Sequence, residues 1–220
     1  MVHIHVGKDE GSDHFKLHKL VICGKVPYFE KMFNENFIEG ATNSATLPED
    51  DPDACNTIAF WIYSDKLLPL KHRTNDNGKW CIGELYLLAD KFCLPDLMDR
   101  ISDGLAFDMK KSNWISRLRK NKPGSMDSLY HYSPRKTCGM FRLVVSFLCY
   151  LLCGTRGAKD LEHWRTESID VFLTQHDDVR HEVFKMIRAL LPPSQNKGQA
   201  GSSIHVTVDH FPAIFHHYHS

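Results

Sequence analysis

Between Leu17 and Leu97 four kinds of block follow one another: a His18-Lys19 strand end, a helix opened by Pro27-Tyr-Phe29, an acidic Leu47-Pro-Glu-Asp-Asp-Pro52 turn, and a helix ending in Ala89-Asp-Lys91. Each block stops or starts the chain for its own reason. Pro27 suits the first position of a helix, where its missing N–H would be unpaired anyway. Asp51 before Pro52 reads as a cap with a helix start behind it, and Asp53 then lies in the first turn, where a carboxylate favours the helix dipole. Elements this short bury too little surface alone, so the chain must fold by packing them together as an α+β domain.

The N-terminal residues His3 to Val6 and His14 to His18 alternate with period two and are joined by a Gly- and polar-rich Gly7–Asp13 stretch, which predicts a hairpin. Leu20-Val-Ile-Cys23 predicts a helix ending at Gly24. The helix from Pro27 presents Phe29, Met32 and Phe33 on one stripe, and Val26 before it lacks a side-chain acceptor, a defect costing ~1 kcal/mol at a cap. Residues Ala41 to Leu47 read as extended, Pro52–Tyr63 as helix, Lys66-Leu-Leu68 as a short strand, and Pro69 to Lys79 as a polar loop carrying the Asn75-Asp-Asn-Gly78 turn signal. Helix resumes from Gly83 to Phe92; Pro95 opens another, with Leu97, Ile101 and Leu105 repeating on one face.

Residues 110–122 hold six basic side chains and no acid, followed by Pro123-Gly-Ser125. That composition predicts a hinge over 110–125 between a domain at 1–109 and an all-α unit at 126–193. Within the latter, helices are expected over Phe141–Cys153, Leu161–Leu173 and Asp178–Leu191, the last with Val179, Val183, Ile187 and Leu190 on one face. Residues 194–220 read as a flexible linker and a His-rich tail.

The blocks Val2-His-Ile-His-Val-Gly7, Phe15-Lys-Leu-His-Lys19, Pro27-Tyr-Phe-Glu-Lys-Met-Phe33, Leu47-Pro-Glu-Asp-Asp-Pro-Asp-Ala54, Phe60-Trp-Ile-Tyr-Ser-Asp-Lys-Leu67 and Leu85-Tyr-Leu-Leu-Ala-Asp-Lys-Phe-Cys-Leu-Pro-Asp-Leu97 agree in type and order with a BTB/POZ domain. The chain resembles that family over about half its length, and most of all its fungal single-BTB members. Tyr132-Ser-Pro134 through Met140-Phe-Arg-Leu143 has a loose likeness to the helical segment that follows in those proteins. The resemblance implies a small mixed sheet with a cluster of about five helices, then an α-helical C-terminal unit. It also implies a protein–protein interaction module without enzymatic activity, expected as a substrate adaptor for a cullin-RING ubiquitin ligase. The competing expectation is a ubiquitin-independent, self-associating scaffold in transcription or cytoplasmic complexes. Homodimerisation is expected of the family, although the chain starts on the first strand, without the preceding segment that many relatives use for swapped contacts.

Composition narrows the alternatives. The 220 residues carry 27 Lys plus Arg against 27 Asp plus Glu, so no global field draws in nucleic acid or an anionic membrane. The apolar run Leu143 to Cys153 is about half of the ~20 residues a spanning helix needs, so it reads as a core helix. Seven cysteines without paired short spacings read as buried thiols of a reducing compartment, and the start lacks a signal-peptide pattern; the expected location is cytoplasmic and/or nuclear. No Ser/His/Asp or Cys/His arrangement, Gly-rich phosphate loop or carboxylate pair stands out, so neither catalytic residues nor a cofactor are expected. Cys149 and Cys153 share a helix face within an apolar stripe and read as core. His216, His217 and His219 lack a companion thiol or carboxylate, so no metal site is assigned. The basic run, with Trp114 inside it, reads as a solvated helix end rather than a nucleic-acid surface or import signal.

The candidate partner-binding residues are Phe37, Ile38, Glu39 and Tyr63. Phe37-Ile38-Glu39 falls in a loop where BTB proteins that recruit a cullin carry a hydrophobic-any-Glu element. A bulky side chain there fills a partner's pocket, or else folds back on its own core. Tyr63 matches a family position on the same surface, with packing as its alternative role. Trp61 is expected in the core. His18 matches the family's histidine at the end of the second strand and is expected to be buried or half-buried and hydrogen-bonded.

Overall fold

The computed structural model describes residues 1–8, 11–67, 81–111, 126–153 and 164–190, and the chain divides into two compact units, Met1–Leu105 and Ala106–Ser220. In the first, strand β1 (Val2–Val6) lies at the centre of a sheet of order β2-β1-β3. It pairs antiparallel with β2 (Asp13–Leu17) and parallel with β3 (Ser44–Leu47), so the sheet is mixed. Period-two alternation buries Val2, Ile4 and Val6 and turns His3 and His5 to the other face, with His5 opposite His14. Gly7 closes β1 at φ +86°, and a Cβ there would approach Pro52 Cγ to 3.1 Å.

Around the sheet lie α1 (Lys19–Lys25), α2 (Pro27–Asn34), α3 (Ile38–Thr42), α4 (Pro52–Ser64), α5 (Cys81–Lys91) and α6 (Pro95–Lys111), an α+β arrangement as expected. Their core is aromatic at its centre. Phe29 of α2 stacks on Phe33, and its ring centroid is 4.7 Å from that of Phe92 just beyond α5. Ile58 and Ile62 of α4, Leu85 and Tyr86 of α5, and Leu97, Ile101 and Leu105 of α6 complete the burial. Asp51 caps α4 by accepting from the Ala54 N–H at 2.8 Å.

Several local expectations are corrected by packing. Helix α1 runs past Gly24 to Lys25, because α2 begins immediately after Val26 and the two helices share that residue as their cap. Val26 makes no side-chain cap, yet it is fully buried. Burying a valine is worth about 1.5–3 kcal/mol, more than the ~1 kcal/mol of a missing cap. Within 41–47 only Ser44–Leu47 is strand, since Ala41 and Thr42 complete α3. Lys66 and Leu67 are not strand; Leu68 lies outside the described residues. Met32 is half-buried where Phe29 and Phe33 are buried.

The described part of the second unit consists of α7 (Met126–His131), α8 (Gly139–Cys153), α9 (Thr166–Gln175) and α10 (Asp177–Leu190), with α6 reaching to Lys111 across the division. Helix α8 is the expected apolar run and is buried almost all round, as a central helix must be. Val179 and Val183 of α10 are fully buried, and Cys149 of α8 places its sulfur 3.6 Å from the Val183 carbonyl. Ile187 is only half-buried, and the side chain of Leu190 lies outside the described residues. Helix α9 starts later than expected, at Thr166, because Arg165 is extended and its carbonyl accepts the first-turn N–H groups of Ser168 and Ile169. No described helix is long and apolar enough to cross a membrane. The expected hinge over 110–125 lies beyond Lys111 outside the described residues, as do the Asn75–Gly78 turn and everything from 191 on.

Candidate docking surface

Phe37-Ile38-Glu39 is not a loop. Phe37 is the N-cap of α3, and its carbonyl accepts from the Gly40 and Ala41 N–H groups. The turn folds back tightly against the end of α2: a Cβ on Gly40 would stand 3.0 Å from the Glu35 carbonyl oxygen and 3.1 Å from that of Phe33. It ends at Asn43, which takes the left-handed conformation that asparagine tolerates, at φ 51°. Asn43 then ties the turn to the sheet by accepting from the His3 N–H at 2.9 Å.

This tight turn holds its apolar side chains outward. Phe37 is 52% and Ile38 74% exposed, while Glu39 is half-buried. Sequence reasoning passed over the residue that braces them. The Lys19 ammonium, at the start of α1, donates to the Phe33 carbonyl at 2.9 Å and to Asn43 Oδ1 at 3.3 Å, so it clamps the chain on both sides of α3.

Its neighbour His18 holds the fourth candidate. Tyr63, near the end of α4, places its hydroxyl 2.9 Å from the His18 main-chain N and 2.9 Å from His18 Nδ1, with the two rings edge to face. The Tyr63 ring stays 49% exposed. His18 is itself exposed, correcting the expectation of burial, although its hydrogen bonding within the fold is as expected. It stands just before α1, where the sheet gives way to helix. The dipeptide His18-Lys19 thus reaches Tyr63 with one residue and the ends of α3 with the next.

Trp61, one turn inside α4, is buried as expected; its Nε1 has no hydrogen-bond partner among the described residues, and the Lys25 ammonium sits 5.7 Å from its ring centre. In α1 Ile22 is buried, whereas Leu20 is 89% exposed. The periodicity of a seven-residue helix is too short to tell those faces apart.

Burial, and secondarily Asp50, pushes the Cys55 thiol up to about 12, and burial does the same to Cys149, to about 12. Cys138 is also buried, but Cys23 and Cys153 are half-buried and Cys93 is exposed, which departs from a uniform set of buried thiols. In the second unit the Tyr130 hydroxyl donates to both Asp178 oxygens, at 3.1 and 3.2 Å, and Lys136 Nζ is 3.6 Å from the same carboxylate. That carboxylate therefore ties α7 to α10. No described group of three or more His, Cys, Asp or Glu is arranged to hold a metal ion, and the histidines at 216, 217 and 219 lie outside the described residues.

Residues 2–107 match the family model of the BTB/POZ domain. Kelch-like ECH-associated protein 1A of Danio rerio is 26% identical over 112 residues, 51% of this chain and 17% of that protein. Kelch-like protein 40 of Xenopus tropicalis is 29% identical over 90 residues, 41% of this chain and 13% of that protein. TD and POZ domain-containing protein 4 of Mus musculus is 27% identical over 99 residues, 45% of this chain and 25% of that protein. The chain thus spans no more than a quarter of the length of these relatives. The BTB/POZ family is a non-enzymatic protein-interaction module. Residues 2–107 of this chain are a BTB/POZ domain.

Proposed function

We propose that the BTB/POZ unit is the docking half of a substrate adaptor for a cullin-RING ubiquitin ligase. Phe37 and Ile38 enter an apolar pocket on the cullin scaffold, Glu39 lies at its rim, and Tyr63 adds ring area beside it. The helical second unit, with its loose likeness to the segment that follows in fungal single-BTB proteins, holds the target. Such an adaptor performs no chemistry; it raises the concentration of target near the ligase. The observation that carries this reading is the outward presentation of Phe37 and Ile38 on a turn braced by Lys19, since a folded chain rarely leaves two adjacent large apolar side chains in water on a rigid element without a use for them.

The test is calorimetric titration of the purified chain with the N-terminal region of the BTB-binding cullin, alongside Phe37→Ala and Glu39→Ala forms confirmed to be folded. Submicromolar binding that either change weakens about tenfold, ~1.4 kcal/mol, is the expected result. Absence of heat from the folded parent chain refutes the adaptor reading. It leaves the self-associating scaffold, which the almost fully exposed Leu20 on α1 favours and which sedimentation of the same sample measures directly.

A further inference from the structure

The contact between His18 and Tyr63 has a direction, and the direction decides what the docking surface offers a partner. The main-chain N–H of His18 can only donate, so the Tyr63 oxygen is its acceptor at 2.9 Å. The second contact, 2.9 Å to Nδ1, needs one proton between the two atoms. A phenol oxygen shares a lone pair with its ring, which makes it a good donor and a poor acceptor of two bonds. Imidazole nitrogen without a proton is a strong acceptor. The hydroxyl therefore accepts from the main chain and donates to Nδ1, an arrangement in which each bond polarises the other. The ring proton of neutral His18 is then on Nε2, because neutral imidazole carries only one.

We propose that His18 in its Nε2–H tautomer is a specificity-determining residue of the docking surface: its Nε2–H is the donor that a partner protein must meet with a main-chain carbonyl or a carboxylate. Tyr63, with its hydroxyl engaged on both sides, contributes ring area and no free proton. His18 is exposed, Nδ1 is turned to Tyr63, and Nε2 has no hydrogen bond among the described residues. The half of this proposal that concerns the partner rests on the docking reading above; the half that concerns the tautomer does not.

The two halves are tested separately. Ring ¹⁵N shifts of His18, assigned by their loss in His18→Gln and read in mildly alkaline buffer without any partner, are expected to show a protonated Nε2 and a bare Nδ1. A protonated Nδ1 overturns the proposal. For the partner, binding to the cullin N-terminal region is compared in the parent and two folded variants. In His18→Asn the side-chain oxygen can take the place of Nδ1 but nothing reaches the Nε2 position, so binding is expected to weaken about tenfold with the fold unchanged. In His18→Gln the amide reaches the Nε2 position and keeps binding within about threefold. Equal binding by His18→Asn and the parent, or a loss in His18→Gln as large as that in His18→Asn, overturns the donor assignment while leaving docking through Phe37 intact. No binding by the parent refutes the docking reading and the partner half with it, and the ring shifts still judge the tautomer.

Discussion

Tyr63 and His18 stand 45 residues apart in the chain, yet one hydroxyl reaches both the main-chain nitrogen and the ring of the same histidine, each at 2.9 Å. The bond to the main chain satisfies an N–H at the point where β2 has ended and α1 has not yet begun, a position with no ladder or helical partner of its own. The bond to the ring fixes the side chain. A single tyrosine thus joins α4 to the entrance of α1.

This contact should appear as coupling between the two side chains. His18→Ala and Tyr63→Phe are each expected to lower the unfolding free energy by about 1 kcal/mol, the usual net value of such a bond. The double variant should lose less than the sum by ~0.5–1 kcal/mol, because the ring bond is removed only once. Urea unfolding followed by circular dichroism measures all four forms. Strict additivity would show that the two side chains do not interact in solution.

Gly40 tests the tight turn. A methyl group at 3.0–3.1 Å from two main-chain carbonyl oxygens has no flexible neighbour to displace, so Gly40→Ala must push α3 away from the end of α2. A cost of about 1–3 kcal/mol is expected, typical of overpacking against a fixed neighbour. The Ala41 amide, which bonds the Phe37 carbonyl at 3.4 Å, should exchange its hydrogen faster than amides of β1 in the same sample. Unchanged protection at Ala41 would mean that the turn accommodates the methyl group without opening.

Acid should destabilise the sheet through His3. His14 lies stacked between His3 and His5, with centroid separations of 5.0 and 4.5 Å, and His3 Nδ1 is 2.9 Å from His14 Nε2. Desolvation, then the charges of His14, Lys16 and His5, hold His3 below its ordinary value of 6.5. The folded chain therefore binds fewer protons than the unfolded chain as pH falls past 6.5, and stability drops from there down to the lowered folded value; above 6.5 this histidine has no effect. The His3–His14 bond also needs one nitrogen without a proton. Urea midpoints should fall more between neutral and mildly acidic buffer in the parent than in His3→Ala, and equal falls would refute the assignment.

Thiol reactivity should separate the cysteines by burial. Cys93 is exposed beyond α5, whereas Cys55 and Cys149 are buried and pushed up to about 12, where almost no thiolate exists near neutrality. Brief treatment of the native protein with a maleimide, followed by peptide mass analysis, should label Cys93 first and leave Cys55 and Cys149 untouched until denaturant is added. Early labelling at Cys149 would show that α8 and α10 open readily.

The chain's own punctuation determined much of this. Pro27, Asp51-Pro52 and Pro95 start helices because proline's missing N–H and fixed φ fit only the first turn, wherever the rest of the chain goes. The alternation in Val2–Val6 likewise determined which side chains of β1 face the core, and the ordered blocks made the BTB/POZ likeness readable before any contact was known. Tertiary structure decided everything that depends on a neighbour far away in sequence. The chain from Ala41 to Leu47 could be extended throughout until α3 packed against α2; Lys66 and Leu67 could be strand, but β1 takes Ser44–Leu47 as its parallel partner. Val26 was a poor cap by local rules and became a buried core residue by packing. Lys19, Asn43 and Gly40 carry no signal of their own, because a clamp exists only once Phe33 and Asn43 have been brought within reach of one ammonium. The exposure of Phe37 and of His18 is likewise a property of what the fold leaves uncovered, and local sequence does not encode it.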